Sequence, residues 1–161
     1  MNLEKLLTMQ RTLDERILEE HKLHGQDLVS EKLLALQVEV GELANETRCF
    51  KYWSLKPASP DEVILEEYVD GLHFILSLGI TLGFEDVVPK AKQTETNLVS
   101  QFMSVFHHIN ALEQQREQAV FVTLFNEYLT LGGKLGFSED AIVEAYMKKN
   151  EVNHTRQDQG Y

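Results

Sequence analysis

The segment ILEEYVDGLHFIL, residues 64–76, decides how this chain folds, because it combines an apolar helical pattern with three carboxylates. Its Ile, Leu, Val and Phe side chains are numerous enough for burial. Glu66, Glu67 and Asp70 lie among them, and the segment contains no Lys or Arg. A buried carboxylate destabilises a fold by several kcal/mol unless it is paired, hydrogen-bonded or bound to a metal. The segment therefore predicts a buried helix and a partner for its negative charges.

Length, composition and charge narrow the class of protein. The chain has 161 residues, 43% apolar and 25% charged, which suits one soluble domain over residues 1–161. Its formal net charge of −11 disfavours nucleic acid as a partner, since that binding needs clustered Lys and Arg. No apolar run is long enough to cross a bilayer, and the first residues lack the pattern of a signal peptide. With Cys49 as the single cysteine, we expect a cytoplasmic protein without disulfides or membrane contacts.

Apolar residues recur at helical spacing along most of the chain, and no segment alternates as a strand does. The pattern predicts an all-α protein, a bundle of about six helices. The expected helices run from Leu3 to Glu20, from Ser30 to Cys49, from Ser59 to Leu82, from Phe84 to His108 and from Glu113 to Leu131, with a sixth that begins at Ser138.

The segment KNEVNHTRQDQGY, residues 149–161, is nearly free of apolar side chains. A frayed terminus is one interpretation. Lys149, Asn153 and Arg156, however, are side chains of the types that bind phosphates and base edges. The other interpretation is a lid-like tail that is mobile alone and becomes ordered over a ligand.

Two pairs of carboxylates are spaced three residues apart, so that each pair lies on one face of a helix. Glu39 and Glu42 belong to the second helix, and Glu67 and Asp70 belong to the third. If these helices pack antiparallel, the four carboxylates converge. Four oxygen donors suit Mg²⁺ or Mn²⁺. The alternative is that both pairs are ordinary solvated charges, which are common in helical proteins.

A di-iron site is disfavoured because it needs Glu-x-x-His on two helices, whereas the only related spacing here joins Asp70 to His73.

Phe74 follows Glu67 by seven residues, so it lies on the same face about 10 Å further along the axis. A ring in that position can stack on a nucleobase while metal ions hold phosphates. The alternative is an ordinary core phenylalanine.

These features resemble the dimeric dUTPases of the all-α NTP pyrophosphatase superfamily, which also contains the MazG-like enzymes. The superfamily motif, E-x-x-E followed by E-x-x-D, is present at Glu39, Glu42, Glu67 and Asp70. Further matches are F-K-Y-W at 50–53, D-G-L-H-F-I-L-S at 70–77 and K-N-x-x-N-x-x-R-Q-D-x-G-Y at 149–161. The resemblance covers nearly the whole chain.

The resemblance implies a homodimer that hydrolyses dUTP to dUMP and pyrophosphate, with dUTP or dUDP as the small-molecule ligand. Such an enzyme limits uracil incorporation into DNA and supplies dUMP for thymidylate synthesis. It would depend on Mg²⁺, with Mn²⁺ as a substitute, and Glu39 would be the catalytic base. The implied metal ligands are Glu39, Glu42, Glu67 and Asp70. The implied substrate contacts are Gln10, Asp14, Trp53, His73 and Phe74 for the uracil, and Lys149, Asn153 and Arg156 for the phosphates.

Two other functions stay open at this point. One is a related pyrophosphatase that acts on dCTP or on several nucleoside triphosphates. The other is a non-enzymatic helical module whose carboxylates are surface charges. The resemblance also implies a repressor protein as a partner if the chain comes from a phage.

Overall fold

The computed structural model describes all 161 residues and contains six α-helices and no strand. The helices are α1 (Leu3–Glu20), α2 (Val29–Thr47), α3 (Asp61–Leu82), α4 (Leu98–Gln114), α5 (Gln118–Lys134) and α6 (Glu139–Asp158). The predicted all-α class is confirmed. None of these helices combines the length and the apolar character that a crossing of the membrane requires.

Helix α3 is the centre of the bundle, because it packs against α1, α2, α5 and α6. Its sequence is apolar on most sides, as expected for a helix surrounded by others. It runs antiparallel to α2. At one end the backbone N–H of Ser59 donates to the carbonyl of Glu46 at 3.0 Å, and at the other the Nζ of Lys32 donates to the hydroxyl of Thr81 at 2.6 Å. The antiparallel arrangement that the carboxylate pairs require is therefore present.

Two tyrosines fasten α3 to α5. The rings of Tyr68 and Tyr128 stack with centroids 4.6 Å apart. Each hydroxyl donates to the backbone carbonyl of the other tyrosine, at 3.0 and 2.6 Å. Gly71 and Gly132 leave the space for these hydroxyls, because a methyl group at either glycine would overlap the opposing tyrosine. This pair of hydrogen bonds fixes the position of α3 next to Glu67.

The prediction that a helix begins at Phe84 is wrong. Residues 84–97 contain no helix, and α4 starts after Asn97, whose side chain accepts a hydrogen bond from the backbone of Ser100 at 2.9 Å. Pro89 explains the difference, since proline has no N–H and disfavours a helix at the residue before it. Helices α4 and α5 also end later than predicted. Each continues at least three residues beyond its expected last residue.

Two other helix starts differ from expectation, whereas one start and one end agree with it. Helix α2 begins one residue before Ser30, and the Asp27 carboxylate accepts from the backbone of Val29 at 3.1 Å. Ser59 does not cap α3 but donates its hydroxyl to the carboxylate of Glu46. Ser138 caps α6 as predicted, and Gly83, in the left-handed conformation at φ 76°, ends α3.

The polar segment expected as a tail is helical up to Asp158 and forms the last turns of α6. Polar contacts with α1 support it. The guanidinium of Arg16 donates to the carbonyl of His154 at 3.1 Å and pairs with Asp158 at 2.5 Å. Asn150 is buried within the same region. Polar cross-helix bonds replace the apolar burial that the sequence lacks there. An ordering of residues 149–161 by nucleotide stays a prediction.

Candidate active site

Three of the four motif carboxylates converge. Glu39 of α2 and Glu67 and Asp70 of α3 each offer an oxygen, and these oxygens lie within 4.8 Å of one another. All three side chains are half-buried. Glu42 is exposed and lies at the edge of this cluster, where it lines a shallow cavity together with Glu67. The antiparallel packing of α2 on α3 therefore assembles a group of oxygen donors without a histidine or a cysteine.

The carboxylate cluster holds more negative charge than its surroundings neutralise. Burial raises the pKa of Glu39 to about 8, and the charges of Asp70 and Glu42 add to the effect. Burial and the charge of Asp70 raise the pKa of Glu67 to about 7. In addition, the Oε2 atom of Glu39 is buried without a hydrogen-bond partner. A divalent cation that prefers oxygen ligands suits this donor set and would supply the missing partner.

One cation in the protein does reach the cluster. The Nζ of Lys149 on α6 lies 3.1 Å from Oδ1 of Asp70 and 3.1 Å from Oε1 of Glu66. Burial raises the pKa of Asp70 even though the Lys149 ammonium acts in the opposite direction. Glu66 is exposed and needs no further partner. The quoted segment thus receives its counter-ion from a distant part of the chain. Lys149 forms no ion pair with Glu39 or Glu67, although its charge acts to lower the pKa of Glu67.

A cleft of about 250 Å³ opens beside the carboxylate cluster, between α1, α3 and α6. It collects most of the residues that the sequence nominated. These are Gln10, Asp14, Glu39, Asp70, His73, Phe74, Lys149, Asn153 and Arg156. Gln157 of the polar C-terminal segment lines the same cleft, as do Ser77 and Tyr161, which were not among the predicted site residues.

A chain of hydrogen bonds crosses the end of the cleft that lies away from the cluster of Glu39, Glu67 and Asp70. The Nε2 of Gln10 donates to Oδ1 of Asp14 at 2.9 Å, and the Ser77 hydroxyl donates to Oδ2 of the same carboxylate at 2.8 Å. The Oε1 of Gln10 accepts from the Tyr146 hydroxyl at 2.7 Å and lies 2.7 Å from Nδ1 of His73. Polar groups are therefore fixed where a base would lie if the phosphates occupied the carboxylate end.

A family model described as dUTPase matches residues 2–161. The chain belongs to this dUTPase family. A comparison with curated proteins finds no match. Family membership indicates a dUTP diphosphatase, an enzyme that hydrolyses dUTP to dUMP and pyrophosphate, and it does not favour a pyrophosphatase of other specificity or a non-enzymatic module.

Among the residues expected to contact uracil in a dUTPase, one lies away from the cleft. Trp53 belongs to the connection between α2 and α3 and is 63% exposed. Its ring contacts Phe50 and Tyr52, with centroid distances of 6.0 and 5.1 Å, and does not line the cleft. The single chain therefore does not unite Trp53 with Phe74.

Sequence reasoning missed Ser77 and Tyr146. Ser77 follows His73 by four residues, so helical spacing places both on one face, and the match D-G-L-H-F-I-L-S already included it. Tyr146 had no such indication, because its apolar neighbours suggested only a core residue. Its ring stacks on His73 with a centroid distance of 4.2 Å. Burial lowers the pKa of His73 to about 3, so this histidine is neutral in the folded protein.

Proposed function

We propose that this cleft is where dUTP is hydrolysed, with the triphosphate at the carboxylate cluster and the uracil against Phe74 at the other end. The observation that carries the proposal is the buried, unpartnered oxygen of Glu39 within a cluster of three carboxylates. The cleft joins that cluster to the cationic side chains of Lys149 and Arg156. Carboxylates repel a triphosphate, so this arrangement is useful only if a metal cation lies between them.

Glu39, Glu67 and Asp70 are the proposed metal ligands, and Glu42 is close enough to the cluster to complete the set. Mg²⁺ is the proposed ion, with Mn²⁺ as a substitute, because all donors are oxygens. When bound, such a cation neutralises phosphate charge and makes water a better nucleophile.

Glu39 is the proposed general base. It would accept the proton of the attacking water, whose oxygen forms a new bond to the β-phosphorus while the bond between that phosphorus and the oxygen that bridges to the α-phosphate breaks, so that dUMP leaves with the bridging oxygen. A carboxylate has two oxygens, so Glu39 can bind the cation with one of them and accept the proton of the water with the other. Positioning the water between Glu39 and the phosphate supplies much of the remaining acceleration.

Helix α6 supplies the proposed phosphate contacts. Lys149 and Arg156 are cationic, and Asn153 lies one turn from each of them on the face that lines the cleft. Charge-assisted hydrogen bonds to phosphate are among the stronger ones in proteins. Lys149 would exchange its bond to Asp70 for one to the triphosphate, so the substrate replaces an internal contact instead of binding to an unpaired lysine.

The uracil end of the site consists of Phe74, His73, Gln10 and Asp14. Phe74 is half-buried and lies on the face of α3 that carries Asp70, which supports stacking of the base on its ring. Gln10 and Asp14 supply polar atoms for the edge of the base. Trp53 would join them only through a rearrangement of its connection or from a second copy of the chain.

A homodimer is the proposed assembly. The connection between α2 and α3 exposes Tyr52, Trp53 and Leu55, and Tyr52 is 94% exposed. An exposed cluster of large apolar side chains is typical of an interaction surface. A cytoplasmic location is a further proposal, which rests on the single cysteine, Cys49. A repressor partner, for a chain of phage origin, is a proposal that rests on the family resemblance alone.

The test is a hydrolysis assay with and without Mg²⁺, in which pyrophosphate is detected for dUTP, dCTP and dTTP and inorganic phosphate is detected for dUDP. We expect Mg²⁺-dependent release of pyrophosphate from dUTP, and a loss of at least about a hundredfold in kcat for Glu39→Gln. Glu31→Gln, an exposed substitution on the same helix, is the matched control and should behave as the unaltered protein. Turnover by Glu39→Gln equal to that control would overturn the proposed site.

A further inference from the structure

His73 uses only one of its two ring nitrogens. Its Nδ1 lies 2.7 Å from Oε1 of Gln10, whereas its Nε2 is buried and has no hydrogen-bond partner. The side chain is 6% exposed, and it lines the cleft. A buried polar atom without a protein partner costs free energy, which points to a ligand as its partner.

The orientation of the Gln10 amide determines which ring nitrogen of His73 carries the hydrogen, and Asp14 determines that orientation. A carboxylate can only accept hydrogen bonds. Asp14 accepts from the Ser77 hydroxyl with one oxygen. Its other oxygen can likewise only accept, so the group of Gln10 that faces it must be the NH₂ group. The amide oxygen of Gln10 is then turned toward the Tyr146 hydroxyl and the His73 ring.

An amide oxygen beside Nδ1 requires that Nδ1 carries the hydrogen. Because a neutral imidazole has a single N–H, Nε2 is then left with a lone pair and can only accept. The low pKa of His73, caused by burial, keeps the ring neutral and the Nε2 lone pair available. The nearby Lys149 ammonium acts in the same direction.

We infer that Asp14 acts through Gln10 as a positioning residue that fixes the tautomer of His73, so that Nε2 accepts a hydrogen bond from N3–H of the bound uracil. This inference rests on the proposed base site. In the same pose, cytosine presents a ring nitrogen without hydrogen, and two lone pairs would face each other. The tautomer of His73 thus separates the two pyrimidines by hydrogen-bond polarity, to which buried sites are sensitive.

The first test locates the proton by ¹⁵N NMR of the histidine rings in the full-length protein without nucleotide. The chain has six histidines, and His73→Gln identifies the signal in question by its disappearance. We expect the unaltered protein to show a protonated Nδ1 and an unprotonated Nε2. A proton on Nε2 would overturn the inference without any variant.

Asp14→Asn tests the positioning role. The amide of asparagine can present either an oxygen or an NH₂ group to Gln10, so we expect the His73 ring to become a mixture of both tautomers. Ser77→Ala is the matched control, since it removes a bond to the same carboxylate but leaves the carboxylate as an acceptor. A single, unchanged tautomer in Asp14→Asn would mean that Asp14 does not fix His73.

The second test uses dUMP and dCMP as probes of the bound base. We expect dUMP to shift the Nε2 resonance of His73 while Nδ1 stays protonated, and dCMP to bind at least about tenfold more weakly. An Nε2 resonance that does not respond to saturating dUMP would overturn the base contact. Failure of dUTP hydrolysis would instead refute the proposed function and leave the tautomer measurement standing.

Discussion

Lys149 on α6 and Asp70 on α3 form an ion pair inside the cleft, with Nζ 3.1 Å from Oδ1 and side chains only 11% and 17% exposed. The two residues are far apart in the sequence, and the lysine pairs with one of the three carboxylates of the cluster. A pair so well shielded from water is more consequential than a surface salt bridge, because removing one partner leaves an uncompensated charge.

Lys149→Met should destabilise the protein without metal by about 1–3 kcal/mol, since Asp70 loses its counter-ion. Saturating Mg²⁺ should recover much of this loss, because the cation offers the carboxylates another partner. Chemical denaturation in EDTA and in Mg²⁺ measures both quantities. Lys148→Met, which alters an exposed lysine next to it, is the control. An equal loss of stability in the two variants would show that the ion pair is unimportant.

The stability of the metal-free protein should fall as the pH rises from about 5 to about 8.5. The folded-state pKa of Glu39 is raised by burial from 4.5 to about 8, and that of Glu67 from 4.5 to about 7. The folded state therefore binds more protons than the unfolded state in this range. The protonated groups contribute fully below about pH 4.5, and their contribution is lost as the pH passes the raised values.

Glu39→Gln should make that dependence on pH shallower and should raise the stability in EDTA at about pH 8. The amide has no charge to desolvate, and its NH₂ group can donate to the neighbouring carboxylates. Denaturation midpoints measured in EDTA at several pH values check this. A slope identical to that of the unaltered protein would mean that Glu39 titrates normally.

Gly71→Ala should destabilise the fold by about 1–3 kcal/mol, because the added methyl group overlaps the hydroxyl of Tyr128. Gly133→Ala is the matched control. It also lies in a helix, yet a methyl group there meets nothing within 4 Å, so the better helix propensity of alanine should stabilise the protein slightly. Thermal unfolding of both variants decides the matter, and similar midpoints would rule out the proposed overlap.

Arg156→Gln should lower kcat/KM for dUTP by about tenfold or more, which corresponds to ~1.4 kcal/mol of transition-state stabilisation. The guanidinium lines the cleft and lies 5.0 Å from the centroid of the Tyr161 ring, and it forms no ion pair with a carboxylate. Glu151→Gln on the exposed face of α6 serves as the control. Steady-state kinetics at saturating Mg²⁺ measure the effect. Equal kcat/KM in both variants would remove Arg156 from the site.

The sequence predicted the structural features that depend only on interactions between residues close together in the chain. Helical spacing indicated the all-α class, Gly83 and Ser138 marked their helix boundaries correctly, and the three-residue spacing of Glu67 and Asp70 placed both on one face. These outcomes depend on backbone geometry within one or two turns, which a short stretch of sequence determines.

Residues that depend on distant partners were not predictable in the same way. The segment around Pro89 was predicted to be helical because residues 84–86 resemble the start of a helix. The backbone N–H groups of Lys90 and Lys92 instead donate to Asn126 and Thr130 of α5, at 2.6 and 2.8 Å. The polar end of α6 looked like a tail and is a helix, because α1 supplies its hydrogen bonds.

The active site shows the same division. Sequence spacing alone nominated Glu39, Glu67 and Asp70, since each motif is local to one helix. Only the packing of α6 on α3 revealed Lys149 as the counter-ion, and only the packing of α1 and α6 on α3 joined Gln10 and Tyr146 to His73. A sequence specifies which groups a helix presents, whereas burial and charge pairing depend on which helices meet, and that is decided by the free energy of the whole core.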